Sequence, residues 1–135
     1  MLIMCGPGVD VGQWDDRRVR AALRGVSFDP DPAVLPADPT SFAFVARLIA
    51  GPEGAGEESF EVTVASAEWL AARCRTTGGI LDCRHHVIVD PATFDQRQLR
   101  GWLARRVEAV EADTWPGVAA ILARLGYWEF EDHSG

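Results

Sequence analysis

Apolar and polar side chains alternate without a break in ESFEVTV (58–64). Phe60, Val62 and Val64 fall on one face and Glu61 and Thr63 on the other, the period-2 pattern of a half-buried strand. SFAFVARLIA (41–50) is also strand-like, and GPEGAGEE between the two is a glycine-rich connection suited to a hairpin. RVRAALRGVSF (18–28) reads two ways. Its Ala, Leu and Arg favour a helix stopped at Gly25, whereas Val19, Ala21 and Leu23 alternate with Arg20, Ala22 and Arg24 as in a strand. DPDPAVLPADP has four prolines in eleven residues and predicts an extended loop. CRHHVIVD (83–90) predicts another strand, closed by Pro91. Residues 1–17 are broken by Gly6, Pro7, Gly8 and Gly12 and read as an irregular N-terminal extension.

Elsewhere the period changes to that of a helix. Ser66 is placed to cap AEWLAARCRT, with Gly78 and Gly79 as its stop. Leu99, Trp102, Leu103, Arg106, Val107 and Val110 recur at spacings of three and four. Thr114 caps a third helix that tolerates Pro116 in its first turn; Trp115, Val118, Ile121, Leu122 and Leu125 form its stripe, and Gly126 stands where a left-handed terminal cap would be. Trp69, Trp102 and Trp115 fall on these stripes and are expected in the core. The expected fold is α+β: one domain over 18–135, a mainly antiparallel sheet of about four strands with helices packed on one face.

Composition adds limits. A chain of 135 residues, 47% hydrophobic and 24% charged, can bury a core without metal or disulfide support. Cys5, Cys74 and Cys83 are odd in number and widely spaced, so free thiols are expected. No apolar run is long enough to span a bilayer, and MLIMCGPGVD lacks the basic start of a signal peptide, so a cytoplasmic location is expected. Net charge is −7, unevenly spread: residues 29–68 hold eight acids and one arginine, 69–107 seven arginines and three acids, and 108–135 six acids and one arginine. Such a chain repels nucleic acid and anionic membrane and attracts basic partners.

Catalytic and metal chemistry find little support. GPEGAG is followed by Glu57, Glu58 and a strand, whereas phosphate loops lead into a helix N-terminus. In CRHH, strand geometry sends Cys83 and His85 one way and Arg84 and His86 the other. With Cys74 they match no zinc spacing. A hydrogen-bonded His85 in the core is the preferred reading; the alternative is a small metal- or ligand-binding protein or enzyme built on Cys83, His85 and His86. The carboxylate pairs Glu57/Glu58 and Glu129/Glu131 lack the apolar surroundings that raise a pKa for acid–base work. No enzyme, metal or cofactor is expected.

GYWEFED (126–132) closes the chain with alternating aromatics and acids. If extended, it turns Trp128 and Phe130 inward and Glu129 and Glu131 to solvent. Burying two aromatics contributes roughly 3 kcal/mol or more before entropy is subtracted, enough to pin a terminus.

GPEGAGEESFEVTV followed by ASAEWLAARC, then CRHHVIVD, then TWPGVAAILARLGYWEFED, resembles the immunity protein 8 family of bacterial polymorphic toxin systems, from about Arg18 to Asp132. The Gly-Pro hairpin with Glu57, Glu58, Ser59 and Phe60, the Trp69-Leu70 helix start and the terminal Gly126–Asp132 string carry the likeness, and Arg84-His85 matches a pair typical of the fourth strand. His86 departs from the family's usual aromatic. The resemblance implies a non-enzymatic inhibitor that binds one cognate toxin. Charge then suggests where: a toxin with a positive substrate channel, as in a nuclease, would meet ordered carboxylates. The expected contact acids are Glu53, Glu57 and Glu58 on the hairpin and Glu129, Glu131 and Asp132 on the tail. Trp69, Phe60, His85, Trp115, Trp128 and Phe130 are the expected structural anchors.

Overall fold

A computed structural model describes residues 18–34, 38–54 and 56–128. In chain order the elements are β1 (Val19–Asp29), a 3-10 turn (Pro32–Val34), β2 (Ala43–Pro52), β3 (Glu58–Ser66), α1 (Ala67–Thr76), β4 (His86–Val89), α2 (Gln96–Glu108), β5 (Glu111–Ala112), α3 (Trp115–Leu122) and β6 (Tyr127–Trp128). The sheet order is β4-β3-β2-β1-β5, and β6 also pairs with β3. The α+β class holds. The sheet, however, is mixed and has six strands among the described residues: β4 runs parallel to β3, and the two-residue strands β5 and β6 join the four longer ones. Parallel pairing needs a crossover, and here α1 with the loop after it carries the chain back beside β3.

β1 settles as a strand. Eight of its residues pair with β2, with a register shift between Leu23 and Gly25, and Val19 and Arg20 pair with β5. Cross-strand bonds on both sides outweigh the modest helix preference of Ala, Leu and Arg.

Register defines two faces. Val26 and Phe28 of β1 stand opposite Leu48 and Ala46, which stand opposite Phe60 and Val62 of β3. This is the core face, covered by α2 through Leu99, Leu103 and Val107 and by α3 through Val118, Ala119 and Leu122. Ser66 caps α1 by accepting from the Trp69 amide at 3.3 Å, and Thr114 caps α3 by accepting from the Gly117 amide at 3.1 Å. Gly78 and Gly79, both at positive φ, end the turn after α1. α1 itself buries no residue; its Trp69 lies against His86, which shares the face of Thr63 away from α2 and α3.

Three expectations need correction. Trp69 is not core: it is half-buried on α1 and lies outside the core cluster. Trp102 is not core: it is 39% exposed and lines a groove between α2 and the edge strand β4. Gly126 is not a left-handed cap, since the positive-φ glycines among the described residues are 54, 56, 78 and 79. It is buried, and a Cβ there would meet Val62 Cγ2 at 3.0 Å, the Glu61 carbonyl at 3.2 Å and Phe60 Cβ at 3.2 Å. Glycine is needed because the chain presses onto β3.

At the far edge, β5 is held to β1 by charge. Glu111 accepts from Arg20 at 2.9 Å and lies 3.4 Å from Arg18. The Arg20 hydrogen bond holds its carboxyl below the usual value of 4.5. A depressed folded-state pKa adds stability that is complete above the unfolded value and is lost as pH falls through the folded one. Glu111→Gln should therefore lower the melting temperature slightly at pH 7, and the gap from wild type should close in scans taken progressively below pH 4.5. A gap that is constant with pH would remove the ion pair as its cause.

Candidate functional site

The expected acids start at the β2–β3 turn. A Cβ on Gly51 would overlap the Gly56 carbonyl oxygen, and Gly54 and Gly56 take φ of 95° and 75°. Glycine is thus required for the chain to reverse here, and the segment is a hairpin turn. Glu53 is exposed at its tip. Glu57 is also exposed, 3.9 Å from Arg24 of β1, whose guanidinium donates to the Pro52 carbonyl. Arg24, which patterning did not single out, thereby braces the hairpin and partly balances Glu57.

Glu58 differs from its neighbours. It pairs with Ala50 and shares the core face with Phe60, Val62 and Val64. One carboxylate oxygen accepts the indole N–H of Trp115 and the other accepts that of Trp128 at 2.6 Å. All three side chains are half-buried. The carboxylate thus joins the start of β3 to the first turn of α3 and to β6. The signal was present in the sequence: residue 58 has the parity of the apolar positions 60, 62 and 64, which puts its acid on the inner face.

Trp128 pairs with Phe60 across the strands, and their rings stack with centroids 6.2 Å apart and an interplanar angle of 26°. Tyr127 stands opposite Glu61, so β6 runs toward the hairpin end of the sheet. Trp128, Phe60 and Trp115 meet one another through Glu58 and the ring stack. Glu129, Phe130, Glu131 and Asp132 lie outside the described residues.

His85 closes the arrangement from the other side. It takes φ of 65°, its Nε2–H donates to the Ala123 carbonyl at 2.7 Å, and its own carbonyl accepts from the Thr63 amide at 2.9 Å. Its ring meets that of Tyr127 edge-on at 6.1 Å. It is half-buried, not fully in the core, and it ties the start of β4 to the end of α3 and to β6. His86 donates through Nδ1 to the Arg84 carbonyl at 2.9 Å, and Cys83 is an exposed free thiol. Among the described residues no three His, Cys, Asp or Glu side chains are placed to share a metal ion, and no helix is long and apolar enough to cross a membrane.

The family described as Immunity protein 8 matches residues 22–133, most of the chain. No curated protein and no solved structure matches it.

The clasp that Glu58 forms with Trp115 and Trp128 is testable as an energetic unit. Glu58→Gln keeps one acceptor but turns an amide N–H₂ toward an indole N–H, and should cost about 1–3 kcal/mol in urea denaturation. Trp128→Phe keeps the stack on Phe60 and removes only the donor. In the Glu58→Gln background it should cost about 1 kcal/mol less than in wild type, whereas additivity within about 0.5 kcal/mol would deny the coupling. Gly126→Ala should destabilise by about 1–3 kcal/mol through overpacking against β3; an unchanged midpoint would mean the contact relaxes freely.

Proposed function

The chain belongs to the Immunity protein 8 family, and we propose that it neutralises one cognate bacterial toxin by binding it, without catalysis of its own, through the acidic hairpin end of its sheet. The family match over 22–133 carries this reading. The geometry supports it in a specific way. Glu58 joins β3 to α3 and β6, and Arg24 reaches both the Pro52 carbonyl and Glu57, so Glu57 stands beside a cross-linked frame while Glu53 is exposed at the turn. Carboxylates held in place lose less freedom on binding than those on a flexible tail. Glu58 serves inside that frame, since both of its oxygens are engaged by indoles. Glu129, Glu131 and Asp132 are proposed as further contact acids. A partner with a positive substrate channel, such as a nuclease, fits this charge.

Immunity requires a long-lived complex, and nuclease–immunity pairs reach the tightest affinities known. Charge at the rim governs how quickly such partners meet, while desolvated packing governs how long they stay.

Expressing a candidate toxin domain from the neighbourhood of this gene, with and without this chain, tests the role directly. Growth rescue with a co-purifying complex is the expected outcome; rescue without a complex would point to an enzymatic or indirect mechanism. On the complex, Glu53→Arg with Glu57→Arg should slow association about tenfold at low salt and flatten its salt dependence, with a smaller effect on dissociation. An association rate that does not move would take the hairpin acids out of the interface.

A further inference from the structure

Away from the hairpin end, β4 is an edge strand: among the described residues it pairs with β3 alone. Its outer side presents backbone N–H and C=O groups with no strand of the described residues beside them, the kind of edge that proteins ordinarily cover or charge. Here it is apolar instead. HVIV carries no Lys, Glu or Pro, and Ile88 in its middle is 44% exposed.

Beside this edge the structure opens a groove of about 300 Å³ between β4 and α2. Its floor is apolar: Val87, Val89, Phe94, Leu99 and Trp102. Trp102, on the α2 stripe where core packing would be expected, leaves 39% of its surface in water. A partly exposed tryptophan beside a hydrophobic groove is the kind of side chain that dominates binding energy at protein interfaces. The groove's ionisable lining residues are Asp90 and Asp95, both acids. Each is fixed by local bonds: Asp90 accepts from the Ala92 amide at 3.0 Å and the Thr93 hydroxyl at 3.2 Å, and Asp95 accepts from the Arg97 amide at 2.7 Å.

We propose that this groove and the open edge of β4 dock an extended segment of the toxin, which adds a strand to the sheet, seats an apolar side chain against Trp102 and places Lys or Arg residues over Asp90 and Asp95. The inference rests on the toxin-binding reading and names a second contact for it. Strand addition uses main-chain bonds for affinity and a pocket for alternate side chains for specificity, and the free edge and the groove supply one of each. Charge selects the occupant. A second copy of this chain is itself at −7, whereas a basic segment meets the two fixed carboxylates of Asp90 and Asp95.

Affinity and amide hydrogen exchange on the complex with the candidate toxin domain provide the test. Trp102→Ala should weaken binding at least about tenfold, mainly by faster dissociation. Ile88→Lys, which puts a cation on the edge strand, should also weaken it. In wild type the β4 amides should gain protection when the toxin is added. Ile88 and Trp102 are both surface-exposed, and circular dichroism and melting checks on each variant separate lost contact from lost fold. If Trp102→Ala unfolds the protein, Ile88→Lys and the wild-type exchange data decide. A wild-type complex that forms while both variants bind within twofold, with β4 unprotected, overturns the groove and leaves the immunity reading standing. Absence of any wild-type complex overturns both. A concentration-dependent homodimer broken by Trp102→Ala would replace the toxin segment with a second copy and overturn the assignment.

Discussion

The carboxylate of Glu58 faces the inner side of the sheet, and a half-buried charge there has to be met by donors. Two indole N–H groups meet it, one from the first turn of α3 and one from β6. Neither tryptophan is near Glu58 in sequence, so the contact closes long loops of chain around a single side chain. Each indole also packs: Trp115 contributes to the core cluster and Trp128 stacks on Phe60. Hydrogen bonding and burial therefore hold the same pair of rings, and the start of β3, the cap of α3 and the last described strand are set by one another.

β3 is the strand on which this arrangement depends. It pairs with β2 along one side, and along the other with β4 at its C-terminal half and β6 at its N-terminal half. Gly126 lets the chain approach β3 closely enough for β6 to form, and His85 bridges the gap between β4 and the end of α3. This accounts for why glycine, histidine and tryptophan stand at these positions in backbone and hydrogen-bonding terms, with no appeal to catalysis.

For an inhibitor of the immunity kind, the two ends of β3 carry different chemistry. Near its start the hairpin presents exposed carboxylates on a braced loop. Near its end β4 leaves an apolar edge and a groove whose fixed charges are acidic. The first feature suits fast, charge-guided encounter and the second suits desolvated packing.

Local pattern by itself determined much of this molecule. Period-2 alternation marked β3, a strand-like apolar run marked β2, three glycines marked the hairpin, and Ser66 and Thr114 marked the starts of α1 and α3, because each depends on neighbours within a few residues. The close of the chain as an aromatic strand on the sheet was also legible as far as Trp128. What lies over a face is set by residues far away in the chain, and there the sequence was silent or misleading. β1 could be helix or strand until β2 and β5 flanked it. Trp102 carried a core residue's spacing, yet it stays 39% exposed beside the groove at β4. Parity placed Glu58 on the inner face, yet only the folded chain brought Trp115 and Trp128 to its two oxygens, since periodicity encodes which way a side chain points and not which distant element arrives to meet it.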